Sequence, residues 1–97
     1  MRSSNAVPPG PDAPPPMNVR VLFFGPLIDV TGARALDLTV ADGSRVDALL
    51  ELLFDRWPRL RELDASLLIA VNLSYARRDE SIPPDSEVAI MPPVQGG

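Results

Sequence analysis

The chain closes with Met91-Pro92-Pro93-Val94-Gln95-Gly96-Gly97, and the reactive handle this stretch offers is the α-carboxylate of Gly97. Glycine has no Cβ, so Gly96 and Gly97 fit a channel too narrow for any other residue pair. Pro92 and Pro93 cannot continue a sheet ladder and favour an extended backbone, so the segment is expected to project from the body. Val94 and Gln95 separate the prolines from the glycines. A carboxylate at neutral pH has too poor a leaving group to accept a nucleophile and must first be activated. A glycine pair alone also fits an inert, frayed terminus. A short apolar strand, two prolines, two spacers and Gly-Gly together form a far more specific pattern.

Other chemistry is narrowed by what the composition lacks. There is no cysteine and no histidine among the 97 residues. That removes thiol nucleophiles, disulfides, Cys-ligated metals, the commonest general base and the commonest metal ligand. A self-contained hydrolase triad or a zinc site is not expected, and no side chain is assigned as acid, base or metal ligand. The net charge of −4 argues against nucleic acid as a partner. All nine basic residues are arginine, which reads as compositional bias. The absence of lysine has one consequence: the chain cannot build isopeptide polymers on itself. No apolar run approaches the ~20 residues of a membrane span. The start lacks a secretory pattern, so the expected location is the cytoplasm.

The elements that must hold the terminal segment follow from hydrophobic periodicity. Residues 1–16 carry six of the twelve prolines and few bulky apolar residues, reading as a disordered lead-in to a single domain over 17–97. Val19 to Phe24 reads as a strand with Val19, Val21 and Phe23 on one face and Arg20, Leu22 and Phe24 on the other. Arg20 marks the second face as uncovered. Gly25-Pro26 ends the strand, and Leu27 to Thr31 is a short helical turn closed by Gly32. Ala35 to Val40 alternates apolar and polar residues as a second strand. Ser44 is the expected N-cap of a helix carrying Val46, Leu49, Leu50, Leu53, Phe54 and Trp57 at helical spacing, with Asp47 in its first turn and Pro58 as its stop. Residues 59–65 are a polar connection with room for a helical turn. Leu67 to Asn72 is apolar nearly throughout, hence a strand that is central or covered on both faces. A charged hairpin region, Arg77-Arg78-Asp79-Glu80, and a Pro83-Pro84 turn lead to Glu87–Met91, the last strand, with Val88 and Ile90 facing in.

The order strand, strand, helix, strand, strand fits an α+β domain in which one main helix crosses a mixed sheet. Placing the first and last strands side by side puts Phe24 and Met91 on one open face with Leu22 and Ala89 beside them and Tyr75 at the rim. An apolar patch beside a projecting tail suits a partner interface.

The segment Glu87 to Gly97, with support from Val19 to Phe24 and Leu68 to Asn72, resembles the small, sulfur-carrying subunit of molybdopterin synthase. The resemblance covers residues 17–97 and implies the β-grasp, or ubiquitin-like, fold with parallel first and last strands. It also implies a chemistry. A ubiquitin-activating-type adenylyltransferase would use ATP to convert the Gly97 carboxylate to an acyl-adenylate, and a sulfur donor protein would displace AMP to leave a thiocarboxylate. The tail, Pro92 to Gly97, would then deliver sulfur to the pyranopterin precursor inside the large catalytic subunit, forming the molybdopterin dithiolene. The chain itself would be a non-catalytic carrier with no bound cofactor, in a heterotetramer. Positions matching Phe24, Leu22, Met91, Ala89 and Tyr75 would touch the large subunit. Three alternatives remain open: a carrier for thiamine thiazole synthesis, against which Pro92-Pro93 argues; a ubiquitin-like modifier joined to lysines of other proteins; and a binding module with an inert tail.

Overall fold

A computed structural model of the chain describes residues 15–93. Five strands form one sheet in the order β2-β1-β5-β3-β4. They are β1 (Pro16–Phe23), β2 (Ala35–Ala41), β3 (Leu68–Val71), β4 (Ser74–Tyr75) and β5 (Glu87–Met91). Helices α1 (Leu27–Thr31), α2 (Val46–Arg56) and α3 (Pro58–Glu62) and a 3-10 turn (Asp64–Ser66) complete the fold. β1 pairs antiparallel with β2 and parallel with β5, while β3 runs antiparallel to both β5 and β4. The parallel β1–β5 pair requires a crossover, and the helical segment supplies it.

Alternation along the strands decides which residues make the core. Val19, Val21 and Phe23 of β1, Ile69 of β3, and Val88 and Ile90 of β5 are buried on one face. Val46, Leu49, Leu50, Leu53 and Phe54 of α2 are buried against them. Full burial of each such side chain contributes roughly 1.5–3 kcal/mol. Trp57, half-buried where α2 ends, meets Phe23 edge-on at 5.6 Å. Pro58 stops α2 and is also the first residue of α3, where its missing N–H and fixed φ are at home. The connection expected to be polar thus contains a full short helix, anchored by buried Leu60.

Two expectations are corrected. First, β1 starts at Pro16, and the Pro15 carbonyl accepts a hydrogen bond from the Asp42 N–H at 2.8 Å. Pro15 and Pro16 therefore belong to the body, which is possible because an edge of the ladder at its first residue tolerates proline. Second, Ser44 is not the cap of α2. Its hydroxyl donates to the Ala41 carbonyl at 2.6 Å, Arg45 is the N-cap residue, and no side chain caps the helix. The Val46 and Asp47 amides donate instead to the Glu80 and Arg78 carbonyls at 3.0 and 2.8 Å. A loop distant in sequence does the work expected of a local side chain. β3 is central, flanked by β5 and β4, as its apolar run led one to expect, and among the described residues no element covers its outer face. Leu68 stays half-buried there.

The charged region around Arg78 is also more than solvated surface. Arg78 pairs with Asp64 and donates to the Asp64 and Leu67 carbonyls at 2.8 and 3.2 Å. It thereby ties the loop that caps α2 to the turn that launches β3.

Candidate functional site

The site is built where the parallel strands β1 and β5 end together. Their register pairs Leu22 with Ala89 and Phe23 with Ile90, and the Phe24 N–H donates to the Ile90 carbonyl at 3.2 Å. This bond carries the ladder one residue past β1 and fixes Phe24 beside Met91. β3 adds Leu68 opposite Met91 and Ala70 opposite Ala89, and Tyr75 of β4 stands opposite Ala70. The open face of four strands thus assembles Leu22, Phe24, Ala89, Met91 and Tyr75 as expected. Phe24 is 46% exposed and Tyr75 is 72% exposed. Phe24, Ala70, Leu73, Tyr75, Ala89 and Met91 line a shallow depression of about 260 Å³ on this face.

Leu73 is the residue that periodicity missed. It is 93% exposed and sits at φ 72° next to Asn72 at φ 50°. This is the left-handed pair of a two-residue hairpin turn between β3 and β4. A leucine there pays a steric penalty and buries nothing within the chain. Asn72 earns its place: its carboxamide oxygen accepts from the Glu87 N–H at 3.0 Å and its amide donates to Ser86 Oγ at 3.1 Å. Ala70 and Leu68 were also missed as patch residues, because their apolarity was read as the mark of a central or doubly covered strand.

The departure of the tail is set by Pro92 against Gly25. Gly25 has φ +59°, and a Cβ built there would lie 3.4 Å from Pro92 Cγ. The turn after β1 and the first proline therefore pack directly, and Pro92 is half-buried while Pro93 is exposed. On the helical side, both prolines wall a groove of about 570 Å³ with Pro26, Leu27, Val30, Leu63 and Leu67. No local signal predicted this groove, since it draws on four separate segments of the chain. Val94, Gln95, Gly96 and Gly97 lie outside the described residues. Among the described residues no cluster of His, Cys, Asp or Glu is placed to hold a metal, and no helix is long and apolar enough to cross a membrane.

Residues 21–97 match the model of the ThiS family. This chain belongs to the ThiS family. The relatives of this ThiS-family chain include a molybdopterin synthase sulfur carrier subunit of Arabidopsis thaliana, 30% identical over 84% of each chain. Among solved structures, a putative molybdopterin converting factor subunit 1 from Pyrococcus furiosus superposes with a TM-score of 0.74 at 28% identity, covering 80% of this chain and 99% of that one. The small archaeal modifier protein 1 from Methanosarcina acetivorans superposes at 0.72 with 25% identity, covering 84% of this chain and 98% of that one. The sheet order and the crossing helix are those of the ubiquitin-like β-grasp fold.

Proposed function

We propose that this ThiS-family protein is the sulfur carrier subunit of molybdopterin synthase. The observation that carries the reading is the junction of β5, Pro92 and the Phe24–Met91–Tyr75 patch, which sets an exposed apolar face at the root of the segment that ends in Gly-Gly. The relative so named in Arabidopsis matches the chain over most of its length and supports the same assignment.

The chemistry follows from the functional groups. The Gly97 carboxylate attacks the α-phosphorus of ATP on an adenylyltransferase, releasing pyrophosphate and giving a mixed anhydride. The outer sulfur of a donor protein's persulfide then displaces AMP, and a second thiol cleaves the resulting S–S bond, leaving a disulfide and a thiocarboxylate. That group is anionic near pH 7 and a good sulfur nucleophile, for the reason a thiolate exceeds a thiol. The large subunit supplies the catalytic side chains, and this chain supplies Gly97 as cosubstrate, Gly96 as slim approach, and Val94 and Gln95 as spacers beyond the prolines. In this reading the chain works without a cofactor of its own, ATP is consumed by the activating enzyme, and the proposed location is the cytoplasm.

Intact mass spectrometry of the protein from its native host tests the reading. Replacement of carboxyl oxygen by sulfur adds about 16 Da, and fragmentation should place the gain on Gly97. A variant lacking Gly97 should keep its melting temperature and lose both the mass gain and molybdopterin formation. Molybdopterin formation undiminished in that variant defeats the mechanism. A second reading, a modifier joined to lysines of other proteins, is favoured by the likeness to the small archaeal modifier protein. It predicts covalent protein adducts that end in Gly97 in place of a thiocarboxylate.

A further inference from the structure

β2 is the long free edge of the sheet. The opposite edge, β4, is two residues long and protected by its shortness, whereas β2 runs seven residues with no neighbour on its outer side among the described residues. Its sequence, Ala-Leu-Asp-Leu-Thr-Val-Ala, contains none of the usual edge guards: no proline, no lysine and a single charge at Asp37.

The ladder defines which groups are free. The Phe23 N–H donates to the Arg34 carbonyl at 2.9 Å and the Asp42 N–H to the Pro15 carbonyl at 2.8 Å. These bonds flank the β1–β2 register, in which Val19 faces Leu38 and Val21 faces Leu36. Antiparallel pairs alternate, so residues 34, 36, 38, 40 and 42 turn their backbone groups to β1, and Ala35, Asp37, Thr39 and Ala41 turn theirs outward. On the helical side of the strand, Leu36 and Leu38 are only half-buried, because the helices stop short of this edge.

We propose that the β2 edge is a self-association surface: two copies of this chain pair antiparallel through β2, joining their sheets into one. The occupant is argued from register. Only odd-numbered residues point outward, so allowed registers differ by two. With Leu38 facing its own copy, all seven residues overlap, Asp37 stands opposite Thr39, and Leu36 stands opposite Val40. The same register sets Arg34 opposite Asp42 at both ends, outside the strand proper. Both residues are exposed, and neither takes part in an ion pair among the described residues. Slipping by two residues one way puts Asp37 against its own copy, a repulsive pair. Slipping the other way forfeits both Arg34–Asp42 pairs. Residues 1–14 of the chain are a poor alternative occupant, because Pro8, Pro9, Pro11 and Pro14 remove the donors a ladder needs. The β2 edge lies beyond β1 from the tail's root, so pairing leaves Phe24, Tyr75 and Pro92 accessible.

The interface is small and the dimer weak, with a dissociation constant on the order of 100 µM. Sedimentation velocity of the full chain from about 10 µM to about 1 mM brackets that range. The expected result is a sedimentation coefficient that rises with concentration from monomer toward dimer. Thr39→Pro removes an outward amide and should hold the chain monomeric throughout. Arg34→Asp and Asp42→Arg should each weaken association by about tenfold or more, and the double variant should restore it to within about threefold of the parent. Within one copy the two positions are about 26 Å apart at the rise of a strand, so restoration can only arise between copies. Circular dichroism of the charge variants, altered at exposed sites, checks that each is folded. A parent chain that stays monomeric at the highest concentration overturns the proposal. So does a dimer indifferent to Thr39→Pro, or one that both single reversals weaken and the double reversal fails to recover.

Discussion

Phe24 and Leu73 show two ways an apolar side chain comes to be exposed. Phe24 is delivered to the surface by strand parity, because its neighbour Phe23 takes the core position and the Phe24 N–H is held by Ile90. Phe24→Asp should therefore leave the fold intact while weakening binding to a large synthase subunit by about 10- to 100-fold, the loss of an interface anchor. Isothermal titration checks it, and unchanged affinity would remove Phe24 from the interface. Leu73 is exposed because a tight turn demands a left-handed residue there. Leu73→Gly relieves that strain and should stabilise the domain by about 0.5–1 kcal/mol, after allowance for the greater freedom of glycine when unfolded. Urea denaturation would read this as a higher midpoint with unchanged slope. A lower midpoint would mean that Leu73 makes contacts within the chain.

Among the elements, α2 depends on a part of the chain far from it. The apolar stripe from Val46 to Phe54 is self-evident from spacing, but its first amides are satisfied by carbonyls of residues 78 and 80. Arg78 holds that loop through Asp64 and two carbonyls. Both side chains of the Arg78–Asp64 pair are about 40% exposed, so the ion pair itself is discounted for screening and the carbonyl contacts matter more. Arg78→Ala should cost about 1–2 kcal/mol by thermal or urea denaturation, and hydrogen exchange should speed at the Val46 and Asp47 amides before the rest of α2. Loss of stability with no change at those amides would separate Arg78 from the helix cap. The tail's element, β5, was readable in outline: Val88 and Ile90 inward, Ala89 and Met91 outward. Its continuation passes beside Gly25, whose φ of +59° the turn after β1 requires and against which Pro92 packs.

At the scale of the whole molecule, the sheet joins segments from both ends of the sequence. Pro16 pairs with Ala41 and β1 lies beside β5, so the N-terminal strand is central and closes the domain. A chain beginning at Pro15 should melt within about 2 °C of the full chain, since residues 1–14 contribute few bulky apolar groups to bury. Removing residues through Val19 should abolish cooperative unfolding, because Met17 and Val19 are core residues. A large drop in melting temperature on removing only 1–14 would show that the lead-in packs on the body.

The linear pattern by itself determined the α+β class, the helix stripe and the two faces of β1 and β5; the Phe24–Met91–Tyr75 patch needed in addition that β1 and β5 be neighbours. The class, the stripe and the faces follow from periods of two and 3.6 residues and from the local effects of glycine and proline, which act within a few residues. Resemblance chose the β-grasp arrangement from the α+β arrangements those periods allow. Only the tertiary structure decided that Ser44 leaves the helix uncapped, that Arg78 secures its replacement, that β3 has an open outer face, and that β2 presents a free edge. Each of these depends on which distant segment arrives at a hydrogen-bonding group or an apolar face, and pairing across dozens of residues leaves no mark on local spacing.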